Sequence, residues 1–183
     1  MNTDPLEILK RYYPPGSKAL SILETHSRAV AAKATGIARR LHLSADDIRF
    51  IEEACLLHDI GIVFTKAPEL DCHGDYPYIC HGYLGHDLLV SLGLPKHARV
   101  CERHTGAGIT LEEISDFNLP LPHRQMVPES LPEEIIAYSD KFFSKNPESL
   151  LVEKELDQIL TSLAHHGESK VAIFTEWHRK FQD

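Results

Sequence analysis

Four histidines and an aspartate stand where helical stripes of apolar residues should continue, and a second aspartate directly follows one of the histidines. In the stretch that contains Val30 and Ala34, for example, a step of four residues back along the same face reaches His26. Steps of three or four keep side chains on one helix face, so these polar groups are predicted to point inward. Imidazoles and carboxylates that meet in an interior are typical ligands of a divalent metal. The six residues are His26, His58, Asp59, His81, His104 and Asp140.

A single histidine on an apolar stripe is usually a hydrogen-bonded core residue rather than a metal ligand. Here five predicted helices each present such a polar residue, and each isolated burial would cost about 1–3 kcal/mol if unsatisfied. One shared metal centre would satisfy them together, which favours a site for Fe²⁺, Mn²⁺ or Zn²⁺. Four imidazoles and two carboxylates are enough for two ions with positions left for water and substrate.

The stretch Leu56–Gly61 reads Leu-Leu-His-Asp-Ile-Gly and resembles the defining motif of the HD-domain superfamily of metal-dependent phosphohydrolases. The order of the first histidine, the His58-Asp59 pair and the last aspartate is similar to the ligand order of that superfamily. The two remaining histidines resemble those of a subgroup with a binuclear site. That subgroup includes the bacterial symmetric diadenosine tetraphosphatases, and small uncharacterised HDIG proteins are also similar. The likeness covers roughly residues 26–143.

The resemblance implies a role for each of the six residues. One metal would be held by His26, His58, Asp59 and Asp140, and Asp59 would bridge to a second metal held by His81 and His104. His58 and Asp59 are thereby assigned to catalysis, in which the metals acidify a water that attacks phosphorus. Two ions are expected, Fe or Mn, with Zn, Ni, Co and Mg as alternatives. A single ion, with His81 and His104 contacting substrate phosphate instead, is left open.

Three basic residues next to the candidate ligands are predicted to bind substrate: Arg28, Arg103 and Lys141. Guanidinium and ammonium groups match the anionic oxygens of a phosphoryl group. The alternative for each is a solvated surface charge. One departure concerns Ile62, because many relatives carry a lysine directly after the motif glycine, and any phosphate contact of that lysine is missing here.

Helical periodicity dominates the chain and predicts an all-α fold, a single HD-domain helical bundle that spans residues 1–183. The motif-bearing core is expected at about 18–145, and C-terminal helices between 147 and 181 are expected to pack on it. Clean alternation of apolar and polar residues, which would indicate strands, is hard to find.

Several boundaries can be predicted from capping and turn residues. A long helix is expected over Lys18–His42, and a helix capped by Ser44 is expected to run to His58. Residues 60–77 contain several glycines and prolines and are predicted to form a long loop. The stretches Thr110–Glu113 and Ser130–Glu133 both resemble capping boxes, and the second is expected to open a helix that runs to Lys145.

Composition limits the classes of protein that fit. The 183 residues carry 27 acidic and 19 basic side chains, for a net charge of −8, which argues against a partner that is a nucleic-acid polymer. No apolar run reaches the length of a membrane span, and the first ten residues lack the apolar stretch of a signal peptide. Four cysteines without a C-x-x-C pair favour reduced, buried thiols and a cytoplasmic location.

These observations predict a cytoplasmic, metal-dependent phosphohydrolase that acts on a nucleotide or another small phosphoester. One alternative is an oxygenase, because some HD-fold enzymes with six ligands in this pattern use a di-iron centre to cleave a C–C or C–P bond with O₂. Another is a non-catalytic nucleotide-binding protein. Nothing in the sequence specifies an interface, so a homodimer is left open.

Overall fold

A computed structural model describes residues 4–182, and α-helices make up most of that part of the chain. Together with one small antiparallel sheet they confirm the predicted all-α class. The helices are α1 (Pro5–Tyr12), α2 (Lys18–Arg40), α3 (Ala45–Leu57), α4 (His81–Ser91), α5 (Pro95–Arg103), α6 (Leu111–Asp116), α7 (Leu131–Asp140), α8 (Leu156–Ala164) and α9 (Glu168–Phe181), and the strands are β1 (Lys66–Ala67) and β2 (Cys72–His73).

Side-chain caps fix the starts of the two long helices α2 and α3. The hydroxyl of Ser17 accepts the backbone N–H of Leu20, and the hydroxyl of Ser44 accepts the N–H of Asp47. Each bond satisfies one of the N–H groups that the first helical turn leaves without a partner. Both helices therefore begin at the predicted residues and end within two residues of the predicted ends.

The segment predicted as a loop contains regular structure. It folds into a 3-10 helix, Ile60–Phe64, followed by the β1–β2 hairpin. The buried phenol of Tyr13 donates a hydrogen bond of 2.9 Å to the carbonyl of Ile60 and accepts the N–H of Val63 at 2.7 Å. Elements this short, held by a residue on another helix, leave no periodic signal in the sequence.

Helix α7 is shorter than the sequence predicts. It ends at Asp140, whereas the expected end was Lys145. After Asp140 the chain continues as a turn, and the carbonyl of Phe142 accepts the N–H of Lys154 at 2.8 Å instead of a helical N–H four residues on. Consequently the residues that follow α7 turn back toward the end of that helix.

Only one of the two predicted capping boxes is complete. At the start of α6, the Thr110 hydroxyl and the Glu113 carboxylate each accept the other residue's N–H, as predicted. At the start of α7, the Ser130 hydroxyl accepts the N–H of Glu133, but the Glu133 carboxylate accepts the N–H of Glu129 instead. The prediction of a full capping box at Ser130 was wrong because Glu133 has another partner.

Two apolar clusters of side chains meet along α2. One contains Val30 of α2 and, from the C-terminal helices, Phe174 and Trp177. The other contains Leu23 of α2 together with side chains of α1, α4 and α5. His26 lies between Leu23 and Val30, so the junction of the two clusters is where a polar residue is buried. Within residues 4–182 no helix is long and apolar enough to cross a membrane.

The 3-10 helix and α4 approach each other through their backbones at two glycines. A Cβ atom at Gly61 would lie 2.1 Å from the carbonyl oxygen of His81 and 2.4 Å from the backbone nitrogen of Gly85. Such distances are far shorter than van der Waals contact, so only glycine allows this approach. The contact sets the distance between the start of α4 and the residues that follow α3.

Replacement of Gly61 by alanine is expected to lower the free energy of unfolding by about 1–3 kcal/mol, because the backbones must separate. Gly36→Ala on α2 is the matched control, since its Cβ would meet no atom within 4 Å. The control is expected to raise the stability by about 0.5–1 kcal/mol through helix propensity. Urea unfolding followed by circular dichroism measures both, and equal stability of the two variants would contradict the close approach.

Candidate metal centre

The six polar residues that the sequence singles out lie together in the structure, and none is more than 8% exposed. Most of them stand at helix ends, where the chain changes direction and side chains of different helices can converge. His26 lies within α2, His58 and Asp59 follow α3, His81 begins α4, His104 follows α5, and Asp140 ends α7.

A first group of possible ligands surrounds one end of the Asp59 carboxylate. Oδ2 of Asp59 lies 3.0 Å from Nε2 of His58 and 3.4 Å from Nε2 of His26. Oδ1 of Asp140 lies 2.9 Å from Nε2 of His26 and 3.3 Å from Nε2 of His58. Two imidazoles and two carboxylates therefore converge within ligand distance of one point.

A second group shares Asp59 and uses its other oxygen. Oδ1 of Asp59 lies 3.5 Å from Nε2 of both His81 and His104. The two Nε2 atoms are 3.2 Å apart. Asp59 therefore faces both groups and is the residue common to them.

The backbone orients three of the four imidazole rings in the same way. In each case Nδ1 lies within hydrogen-bond distance of the carbonyl three residues earlier in the chain, and a carbonyl can only accept. Nδ1 must therefore carry the proton, and Nε2 is the atom that faces the carboxylates. The pairs are His58 with Cys55 at 2.6 Å, His81 with Tyr78 at 2.7 Å, and His104 with Cys101 at 2.7 Å.

The polar atoms at the centre fit a cation. Oδ1 of Asp59 is buried without a hydrogen bond, and it faces Nε2 of His81 and Nε2 of His104. Buried groups of this kind carry a desolvation cost that a positive ion would offset. Nε2 of His81 and Nε2 of His104 also face each other at 3.2 Å, while both Nδ1 atoms are turned to backbone carbonyls, so a cation between the two Nε2 atoms would satisfy both. A set of nitrogen and carboxylate donors suits Fe, Mn or Zn.

Charge and burial shift the histidine pKa values in opposite directions. Burial would lower the pKa of His58, but the Asp59 and Asp140 carboxylates outweigh it and raise that pKa to about 10. Burial, helped by the neighbouring His104, lowers the pKa of His81 to about 4. At neutral pH His58 therefore carries an additional proton, and His81 does not.

Lys145 lies beside the two groups, and the sequence reading missed it. Its Nζ is 2.8 Å from Oδ2 of Asp59 and 4.0 Å from Oδ1 of Asp140, and its side chain is only 16% exposed. Although burial opposes charge on both partners, Lys145 and the histidines hold the pKa values of Asp59 and Asp140 well below the usual range. If α7 continued past Asp140, Lys145 would point away from Asp59. The contact between these two residues therefore depends on the end of α7 at Asp140.

The three predicted substrate-binding residues are not part of the two ligand groups. Arg28 is exposed and pairs with Glu24 on the same helix face. Arg103 is largely buried, and its guanidinium pairs with two carboxylates, Glu129 and Glu133. Lys141 is half-buried and forms no ion pair with any residue between 4 and 182. Both arginines therefore have carboxylate partners within the chain, and their contact with phosphate stays a prediction.

The chain belongs to the HD domain family, whose model matches residues 23–144. The match confirms the resemblance expected from the His58-Asp59 motif. It spans α2 to α7 and so contains all six polar residues of the candidate centre.

Relatives come from archaea. The chain is 37% identical over 134 residues to an uncharacterised protein of Methanocaldococcus jannaschii, with 67% of this chain and 72% of that protein covered. It is 32% identical over 143 residues to a protein of Picrophilus torridus named tRNA (cytidine(56)-2'-O)-methyltransferase, and 31% identical over 140 residues to a Thermoplasma volcanium protein of that name. These matches cover 74% and 76% of this chain but only 38% and 35% of the two methyltransferases.

The family and the site together define the class of protein. HD domains with buried clusters of histidine and aspartate are typical of metal-dependent hydrolases, and the two clusters offer a candidate site for divalent metal. This chain spans well under half of the length of the two methyltransferases, so their named activity is not assigned to it.

Metal binding is expected to release about one proton per chain near neutral pH, because the metal displaces the Nε2 proton of His58. The raised pKa of His58 makes the apparent affinity increase with pH until about 10, above which this contribution levels off. His81 is already neutral and adds no proton. Calorimetric titration with Mn²⁺ in two buffers of different ionisation enthalpy measures the release. Identical heats in both buffers at pH 7.5 would contradict the assignment.

Proposed function

We propose that this chain is a phosphohydrolase that uses divalent metal to cleave a nucleotide or another small phosphoester. The observation that carries the proposal is Asp59, whose two oxygens face two separate groups of ligand atoms. A shared carboxylate between two such groups is the arrangement that a pair of metal ions needs. We propose two ions, of Fe or Mn.

The residues have separate parts in the proposed reaction. Metal ions bound there would supply an acidified water and would neutralise charge on the phosphoryl oxygens. The chain itself fixes the geometry: the carbonyl of Cys55 orients His58, and the carbonyls of Tyr78 and Cys101 orient the second pair of rings. Preoriented donors need no rearrangement when the substrate arrives.

A small substrate is favoured over a polymer. The net charge of −8 repels a polyanion, whereas metal ions bound at the buried centre would attract a compact anion. The names of the two methyltransferase relatives make tRNA a fair comparison substrate, although methyl transfer does not follow from a set of histidine and aspartate ligands. We therefore propose small phosphorylated molecules as substrates and no nucleic-acid polymer.

A substrate panel tests the proposal. Purified protein supplied with Fe²⁺ or Mn²⁺ is incubated with nucleotides, dinucleotides, sugar phosphates and tRNA, and phosphate release and O₂ consumption are both recorded. Phosphate release from a small substrate, with tRNA intact, is expected. Uptake of O₂ without phosphate release would contradict hydrolysis and favour the oxygenase. Binding of a nucleotide without turnover under any metal supply would favour a non-catalytic protein.

Asp59→Asn is expected to lower turnover at least about 100-fold, because the amide cannot serve both groups of ligands as a carboxylate does. Asp46→Asn is the matched control, since Asp46 is an exposed carboxylate in the first turn of α3. Circular dichroism checks that both variants keep their helices. Turnover by Asp59→Asn at the rate of the control would show that the reaction occurs elsewhere.

A further inference from the structure

A cleft of about 440 Å³ opens beside the candidate metal centre. It is lined by residues 69–70, by Tyr78 and by residues 144–147. Cavities that hold small ligands begin at about 300 Å³, so the cleft can hold a molecule of the size of a nucleotide. One wall comes from the segment after the motif, and the other from the segment that follows α7.

Each wall of the cleft carries a residue that contacts one of the two ligand groups. Lys145 extends from one wall so that its Nζ lies 2.8 Å from Oδ2 of Asp59. Tyr78 stands on the other wall, where its ring centroid is 4.8 Å from that of His81 and its carbonyl accepts the N–H of that ring. A molecule in the cleft therefore touches residues that contact the first group at one side and the second group at the other.

The side chains that line the cleft include one cation, several apolar groups and one carboxylate. Lys145, whose side chain is 16% exposed, holds its ammonium 2.8 Å from Oδ2 of Asp59, where a negative group of the ligand would be bound. Leu70, Tyr78 and Pro147 offer apolar surface, and Tyr78 is 38% exposed, so its ring is open to a ligand. Glu69 is exposed and can accept hydrogen bonds from hydroxyl or amino groups. This lining fits a phosphate ester whose anionic part lies at Lys145 and whose uncharged part lies against the apolar side chains.

Lys145 and a metal ion would compete for the same carboxylate oxygen. Oδ2 of Asp59 belongs to the first ligand group, and it is also the nearest partner of the ammonium. Two cations on one oxygen repel each other, so a bound metal weakens this ion pair. A phosphoryl group beside the metal gives the ammonium a new anionic partner within the cleft.

We propose that Lys145 binds the phosphoryl group of the substrate, and that its ammonium passes from Asp59 to the phosphoryl oxygens when metal and substrate bind. The proposal rests on the function proposed above and names the phosphate subsite of that centre. It adds Lys145 to the predicted phosphate contacts Arg28, Arg103 and Lys141, of which the structure pairs the two arginines with carboxylates of the chain.

The test uses Lys145→Met, which keeps the length of the side chain and removes its charge. Mn²⁺ affinity and the affinity of the Mn²⁺-loaded protein for orthophosphate are both measured by calorimetry, so no turnover is required. Orthophosphate affinity is expected to fall at least about tenfold, because a charged hydrogen bond is lost. Mn²⁺ affinity is expected to rise about tenfold or more, because a competing cation is removed.

Two further variants make the result decisive. Lys145→Arg keeps the charge and is expected to retain orthophosphate binding within about threefold. Lys96→Met, an exposed lysine in the first turn of α5, is expected to change neither affinity. Unchanged orthophosphate affinity in Lys145→Met would overturn the proposal. A parallel loss of metal and phosphate binding in both Lys145 variants would also overturn it, because it would assign the lysine a structural role.

The test of the Lys145 subsite and the test of hydrolysis can fail independently. If the wild-type protein binds orthophosphate through Lys145 but hydrolyses no substrate, the subsite holds and the proposed hydrolysis fails. If hydrolysis is found and Lys145→Met keeps the wild-type KM and orthophosphate affinity, the hydrolysis holds and the subsite fails.

Discussion

The carboxylate of Asp59 is buried and its Oδ1 has no hydrogen bond, so its charge depends on the positive groups around it. The ammonium of Lys145 and Nε2 of a protonated His58 both lie next to Oδ2 of Asp59. Two further imidazoles, of His81 and His104, face Oδ1. Each of these groups comes from a different part of the chain. The helix ends, the close glycine contact and the early turn after α7 all serve to bring them to this one residue.

The sequence predicted most of the helices and all six polar residues of the centre, for a physical reason. A buried polar residue interrupts the period of an apolar helix face, and the interruption is visible in one sequence, as at His26 on α2. Likewise the hydroxyl caps of α2 and α3 are local signals, since the capping residue and its partner N–H are three residues apart.

What the sequence did not reveal depends on contacts between distant residues. The 3-10 helix after the motif is held by Tyr13, which directly follows α1, and beyond the end of α7 the carbonyl of Phe142 accepts the N–H of Lys154. Lys145 reaches Asp59 only because of that end. Arg103 was predicted to bind phosphate, and the structure pairs it with two carboxylates that are remote in sequence. A local sequence pattern cannot indicate such ion pairs.

The most direct test of the central claim is a crystal structure of the protein soaked in Mn²⁺, with anomalous diffraction recorded to locate the metal. The account predicts two anomalous peaks about 3.5–4 Å apart, one on either side of the Asp59 carboxylate. One peak would lie among His26, His58 and Asp140, and the other between His81 and His104. Saturating Mn²⁺ without a peak within ligand distance of Asp59 would contradict the account.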